Sequence, residues 1–170
     1  ADAGAHSGAG HVMRLLGIGE AWLQRGGRAV LLSQQLAPTL LAKYERRGID
    51  VRPLPAAVAV GSPQDAALTR ELAGELGAQL VVADGYSLGH LWLGAVVQGG
   101  CKVAYIDDFD DPTLPVDAII RPNPGASMSP GHRSPVVFAG ARFTPVRHEF
   151  ATAKAPLRTC TDTPRRLLLT

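Results

Sequence analysis

The sequence has few cysteines and little net charge, and both shortages limit what the protein can be. Cys101 and Cys160 are its only cysteines, and they form no C-x-x-C pair. A disulfide scaffold or a structural zinc site is therefore disfavoured, and two reduced thiols in a reducing compartment are expected. The formal net charge is +2, and no basic stripe with interleaved aromatic residues occurs. Nucleic acid is therefore not expected as a partner.

The sequence also lacks any apolar run of membrane-spanning length, and its first residues do not resemble a secretory signal. Hydrophobic residues make up 46% and charged residues 19% of the 170 positions, which is an ordinary globular composition. We therefore expect a cytoplasmic protein with one sizeable core and no membrane partner.

Short apolar runs alternate with amphipathic stretches along the chain. The helical stretches run from Val12 to Gly26-Gly27, and over residues 38–47, 64–76 and 88–97. The expected strands are RAVLLS (28–33), IDVRPLP (49–55), QLVVAD (79–84), KVAYID (102–107), VDAII (116–120) and PVVFA (135–139). Apolar strands separated by helices are typical of a parallel sheet that is covered on both faces. The sequence therefore predicts an α/β fold with a doubly wound, Rossmann-like parallel sheet.

The two ends of the sequence suggest a particular domain organisation. In such folds a glycine loop follows the first strand, but no strand precedes the glycines here. We expect residues 1–150 to form a domain without its first strand, and residues 151–164 to form a linker. The run RRLLLT (165–170) is then expected to be the first strand of a truncated second domain.

The opening ADAGAHSGAGH places Gly4, Gly8 and Gly10 before a helix that carries His11 in its first turn. Met13 stands where G-x-G-x-x-G needs its third glycine, and no Gly-Lys-Ser/Thr follows, so a nicotinamide or nucleoside triphosphate site is weakly supported. A helix N-terminus offers unpaired N–H groups and disfavours imidazolium. His11 is therefore either a neutral general base or an ordinary residue at a helix end.

Polar residues follow two of the expected strands. Asp84-Gly85-Tyr86-Ser87 follows one strand, and IDDFDDP (106–112) ends the next. Open α/β sheets bind ligands at this carboxyl edge, although Asp84 is equally suited to capping the next helix. The acidic cluster has no EF-hand register, and Pro112 favours a solvated turn, so no metal is predicted.

Four motifs, taken in order, resemble a known family. Gly8, Gly10, His11 and Arg14 form G-x-G-H-x-x-R, and VVADGYSL, VAYIDDFDD and GARFTPVRHEF follow it. Together they resemble the PseG-like family, UDP-2,4-diacetamido-2,4,6-trideoxy-β-L-altropyranose hydrolases of pseudaminic acid biosynthesis, within the MurG-like GT-B group. RRLLLT resembles the strand that enters the second domain of that family, so the resemblance spans the whole chain.

The resemblance implies a fold, an activity and a set of site residues. The chain would be the N-terminal, sugar-binding half of a GT-B fold, and the missing C-terminal half would hold most of the nucleotide. His11 would be the general base for hydrolysis of a UDP-sugar, with no metal or cofactor. The expected substrate-binding residues are Asp2, Gly8, Gly10, Arg14, Asp84, Tyr86, Asp107 and Asp108.

Two other functions remain open at this point. A GT-B glycosyltransferase would use the same histidine to activate an acceptor hydroxyl instead of water. A non-catalytic sugar- or nucleotide-binding module would have the same fold but would catalyse no reaction.

Overall fold

The computed structural model describes residues 9–127, 131 and 136–154. Helices and strands alternate along these ranges as far as the fourth strand. The helices are α1 (Gly10–Leu23), α2 (Pro38–Arg46), α3 (Pro63–Glu75), α4 (His90–Val97) and α5 (His148–Ala151). The strands are β1 (Val30–Ser33), β2 (Asp50–Pro53), β3 (Leu80–Ala83), β4 (Lys102–Ile106), β5 (Ala118–Arg121) and β6 (Val136–Ala139).

All strand pairs in the described residues are parallel, as the sequence predicts for an α/β Rossmann-like half. The strands nevertheless form two sheets where the sequence suggests one. One sheet pairs β1 with β2, and the other has the order β3-β4-β5-β6. The sequence predicts no helix between β4 and β5, and this connection is a loop over residues 107–117.

The helix boundaries follow from local chemistry. Proline stands at the start of α2 and α3, where its missing N–H and fixed φ cost nothing. Before α3, the Ser62 hydroxyl accepts a hydrogen bond from the Asp65 amide at 3.2 Å. Gly26 follows α1 with φ at +81°, a conformation that ends a helix and favours glycine.

Two apolar clusters make up the core. The larger one joins α4 to β3, β4 and β5 through residues that include Leu93, Val103 and Ile119. The smaller one joins α1, β1 and α2 around Val12, Leu16 and Tyr44. The buried Tyr44 hydroxyl donates a hydrogen bond to the Val12 carbonyl at 2.6 Å, which fixes α1 against α2.

A buried carboxylate attaches α5 to α1. Glu20 lies 3.0 Å from Arg47 Nε, and its other oxygen accepts a hydrogen bond from the His148 amide at 2.8 Å. Gly17 makes this approach possible, because a Cβ there would lie 3.1 Å from the Val146 carbonyl carbon. Residues late in the domain are thereby held against the helix that carries His11.

Three further findings bear on the sequence predictions. Cys101 is a free thiol, as predicted, whereas Cys160 lies outside the described residues. The expected strand at 165–170 and most of the expected linker also lie outside them. Over the described ranges, no helix combines the length and the apolarity that crossing a bilayer requires.

Candidate active site

The candidate site lies at the carboxyl edge of the larger sheet. Strands β3 and β4 are parallel neighbours, with Ala83 opposite Tyr105, so both end at the same edge. Asp84 follows β3 directly, and Asp107 and Asp108 follow β4. The predicted gathering of these carboxylates at one edge follows from the parallel pairing.

The first turn of α1 brings His11 to this edge. His11 Nδ1 lies 2.6 Å from Asp84 Oδ1, and Asp84 is only 1% exposed. Ala9, the N-cap residue, provides no side-chain hydrogen bond, so no N-cap side chain satisfies the amides of the first turn. The N-terminus of α1, which we call the helix mouth, therefore carries both an imidazole and backbone donors.

Arg14 lies on the same face of α1, three residues after His11, and binds two carboxylates at once. Its Nε and Nη2 donate hydrogen bonds to Asp84 at 2.8 and 2.7 Å. Its Nη1 and Nη2 donate hydrogen bonds to Asp108 at 2.8 and 3.0 Å. Such paired contacts fix a planar guanidinium in position and orientation. One arginine thus joins the ends of α1, β3 and β4.

The electrostatics of this cluster favour the charged forms of Arg14 and Asp108. Burial disfavours the charged guanidinium of Arg14 and by itself would lower its pKa. The hydrogen bonds that Arg14 donates to Asp108 and Asp84, and the negative charges of these two carboxylates, outweigh burial. The pKa of Arg14 is therefore raised above its ordinary value. The hydrogen bond from Arg14 lowers the pKa of Asp108 below the usual range, although burial opposes this. The cluster is therefore an ion network at neutral pH.

The short contact with Asp84 favours one tautomer of His11. Nδ1 lies 2.6 Å from a carboxylate oxygen of Asp84 and 3.0 Å from Arg14 Nη2. If Nδ1 carried a lone pair, that lone pair would face the Asp84 carboxylate oxygen at 2.6 Å, and the two would repel each other. A proton on Nδ1, donated to Asp84, removes this repulsion and leaves the lone pair on Nε2. Within the described residues, no hydrogen-bond partner of Nε2 is found.

The exposed ring of Tyr86 lies beside the imidazole, and the exposed ring of Phe109 lies beside Tyr86. The Tyr86 ring meets the His11 ring edge to face with centroids 4.7 Å apart, and its hydroxyl donates a hydrogen bond to Asp108 at 3.3 Å. Phe109 lies 5.1 Å from Tyr86 between centroids. Tyr86 is 65% exposed and Phe109 is 72% exposed. Sequence reasoning missed Phe109, although a lone aromatic residue inside an acidic loop was an available signal.

Asp107 has a different role from Asp108. Its two carboxylate oxygens accept hydrogen bonds from the amides of Phe109 and Asp111 at 2.9 and 3.0 Å. Arg121 Nε lies 3.8 Å from the same carboxylate. Asp107 is 2% exposed, and it shapes the loop that presents Asp108 and Phe109. The structure does not bring it into contact with His11.

The glycine positions are only partly described. Asp2 and Gly8 lie outside the described residues. Gly10 begins α1, and a Cβ placed there would meet no atom within 4 Å. Packing in the described part of the chain therefore does not require glycine at this position, and no described atom fills the space beside the N-terminus of α1.

No group of three or more potential metal-binding side chains lies within residues 9–127 and 136–154. The acidic loop instead satisfies its own carboxylates, since Asp111 also bonds Thr113 and His90.

The chain was also compared with known proteins, and neither a family model nor a curated protein matches it. The geometry itself provides an imidazole whose Nδ1 is held by a buried carboxylate and whose Nε2 has no hydrogen-bond partner among the described residues. Such a histidine can accept a proton from a bound water or hydroxyl group.

Proposed function

We propose that this chain is the sugar-binding half of a UDP-sugar hydrolase in which His11 is the general base. The observation that carries the proposal is the 2.6 Å contact between His11 Nδ1 and the buried Asp84 carboxylate. The resemblance of four ordered motifs to the PseG-like family supplies the substrate class. A second, nucleotide-binding half is part of the proposal.

The proposed reaction uses His11 to activate water. Nε2 accepts a proton as the water oxygen bonds to the anomeric carbon of the sugar. The bond between that carbon and the UDP oxygen breaks, and UDP leaves with the electron pair. The Asp84 carboxylate stabilises the imidazolium that forms, and the ring then releases its proton to solvent.

The neighbouring residues are suited to holding a sugar. Tyr86 and Phe109 present exposed ring faces, on which the apolar face of a sugar ring can stack. Asp108, held by Arg14, can accept hydrogen bonds from sugar hydroxyl or amide groups. No described atom would crowd a Cβ at Gly10, so a substituent of the sugar can approach the backbone donors of α1 from this side.

The experiment that tests this proposal determines which product receives the oxygen atom of the attacking water. The protein containing both halves is incubated with a UDP-diacetamido sugar in H₂¹⁸O, and the products are analysed by mass spectrometry. Hydrolysis at the anomeric carbon places the label in the free sugar and none in UDP. Label in the UDP phosphate would show cleavage of the other bond and would overturn the mechanism.

Two histidine variants test whether the residue at position 11 is the general base. His11→Asn should abolish most of the sugar release. His90→Asn is the matched control, because His90 also pairs with an aspartate, Asp111, at 2.7 Å but is half exposed and outside the site. Equal losses in both variants would argue against a base at position 11. A product in which the sugar is attached to an added acceptor would favour the transferase instead.

A further inference from the structure

Tyr105 is a buried tyrosine in β4, beside the candidate active site but outside the set of residues assigned to it above. It is 7% exposed and belongs to the larger apolar cluster. A phenylalanine would fill such a position without a polar atom, whereas a buried hydroxyl group is costly unless it is hydrogen-bonded. The Tyr105 hydroxyl donates a hydrogen bond to the Gly85 carbonyl at 3.1 Å. Its partner therefore lies between Asp84 and Tyr86, the two residues that contact His11.

The surroundings of the Tyr105 hydroxyl keep it protonated. Burial, followed by the negative charges of Asp107 and Asp84, raises the pKa of Tyr105 to about 12. A neutral phenol can donate a hydrogen bond to a carbonyl, whereas a phenolate cannot. The hydrogen bond to Gly85 therefore persists through neutral pH.

The segment that Tyr105 contacts is a turn at the end of β3. The Gly85 carbonyl also accepts a hydrogen bond from the Leu88 amide at 3.1 Å, which closes a turn over residues 85–88. The turn therefore has its own hydrogen bond besides the one from Tyr105. The last strand pair between β3 and β4 is Ala83 with Tyr105. The hydroxyl thus extends the attachment of this segment to β4 by two residues, as far as Gly85.

Tyr86 follows Gly85 directly and depends on this attachment. Its side chain is mostly exposed, and its hydroxyl donates to Asp108 at 3.3 Å, which is a long hydrogen bond. Asp84, on the other side of Gly85, is already fixed by two hydrogen bonds from Arg14. The bond from Tyr105 to the Gly85 carbonyl therefore matters more for Tyr86 than for Asp84.

We propose that Tyr105 is a positioning residue, which holds Tyr86 against the imidazole of His11 through the Gly85 carbonyl. The Tyr86 ring meets the His11 ring at an interplanar angle of 89°, with centroids 4.7 Å apart. Asp84 binds the imidazole at Nδ1, and a bond at one atom still allows the ring to tilt. The Tyr86 ring limits this tilt and so fixes the direction of Nε2. The consequence for catalysis rests on the proposed hydrolase function, whereas the contact between the rings does not.

The first test measures the contact between the rings in this chain without substrate. Tyr105→Phe removes the hydroxyl and keeps the aromatic ring in the core. The nuclear Overhauser effects between the rings of His11 and Tyr86 should decrease, and the chemical shifts of the His11 ring protons should change. Thr69→Val is the matched control, because it removes another buried hydroxyl, whose hydrogen bond to Asp65 lies within α3. Unchanged effects in Tyr105→Phe, or an equal decrease in Thr69→Val, would overturn the proposal.

The second test asks whether Tyr105 acts on catalysis through Tyr86. In a protein that also contains the proposed nucleotide-binding half, Tyr105→Phe should lower kcat by about tenfold, because a misdirected base loses part of its effect. Tyr86→Leu should also lower kcat, and adding Tyr105→Phe to that variant should cause no further loss. A full further loss would overturn the proposal. If the unaltered protein hydrolyses no UDP-sugar, the hydrolase proposal fails, but the magnetic resonance result still decides the role of Tyr105.

Discussion

His11 Nδ1 and Asp84 Oδ1 lie 2.6 Å apart, although the residues are 73 positions apart in sequence. One belongs to the first turn of a helix and the other follows a strand of the larger sheet. The contact exists because α1 begins at the edge where β3 and β4 end. This contact orients the imidazole of His11.

The tautomer of His11 is directly measurable. We expect the neutral ring to carry its proton on Nδ1, because the Asp84 carboxylate lies 2.6 Å from that atom. Long-range ¹H–¹⁵N correlation spectra at alkaline pH should then show an unprotonated Nε2. Asp84→Asn should shift the ring toward a mixture of tautomers. A protonated Nε2 in the unaltered chain would contradict the assigned orientation.

Arg14 should contribute strongly to stability, since its removal leaves Asp84 buried with one fewer partner. We expect Arg14→Met to lower the free energy of unfolding by about 3 kcal/mol, measured by denaturant titration. Arg52→Met is the matched control, because Arg52 pairs with Asp50 at 3.1 Å while both side chains are more than half exposed. Its loss should cost less than about 1 kcal/mol. Similar losses in both variants would show that the cluster is not a buried network.

The lowered pKa of Asp108 predicts a specific acid sensitivity. A carboxyl group whose pKa is lower in the folded than in the unfolded state stabilises the fold above its ordinary pKa, near 4. That stabilisation is lost as the pH falls through the lower, folded-state value. Asp108→Asn should therefore flatten the decline of unfolding free energy below about pH 4. Parallel curves for the two proteins would refute this. The hydrogen bond from Arg14 is the main cause of the lowered pKa.

Gly10 should matter for substrate and not for folding. A Cβ at this position meets no described atom within 4 Å, so Gly10→Ala should change the free energy of unfolding by less than about 1 kcal/mol. If a sugar approaches the N-terminus of α1, the same methyl group should raise KM in a protein that also contains the proposed nucleotide-binding half. Gly74→Ala, in α3 and equally open, is the control for activity. An unchanged KM in Gly10→Ala would place the sugar elsewhere.

The sequence predicts the site as far as strand polarity determines it. Apolar strands and intervening helices require parallel pairing, and parallel pairing places Asp84 and Asp108 at one edge near His11. Which aspartate of the pair after β4 binds Arg14 depends on how the loop closes. Asp107 uses both oxygens on amides of its own loop, and no spacing rule distinguishes it from Asp108.

Glu20 illustrates a second limit. The sequence around Glu20 predicts a helix, but it does not predict that the carboxylate is buried. The burial depends on the packing of α5 against α1. The contacts are an ion pair with Arg47 and a hydrogen bond from the His148 amide, both distant in sequence. The separation into two sheets was likewise invisible in the alternation of strands and helices. It depends on which strands pair with one another, and the pattern of each strand by itself carries no information on its neighbours.

The catalytic constants of a protein that also contains the proposed nucleotide-binding half, with and without His11, decide whether His11 is the general base. If it is, His11→Asn should lower kcat for UDP-sugar hydrolysis by about 10²–10⁴-fold and change KM much less, because a general base acts chiefly in the transition state. A His11→Asn protein with near-normal kcat would refute this role, and His11 would then be a residue of the helix end only.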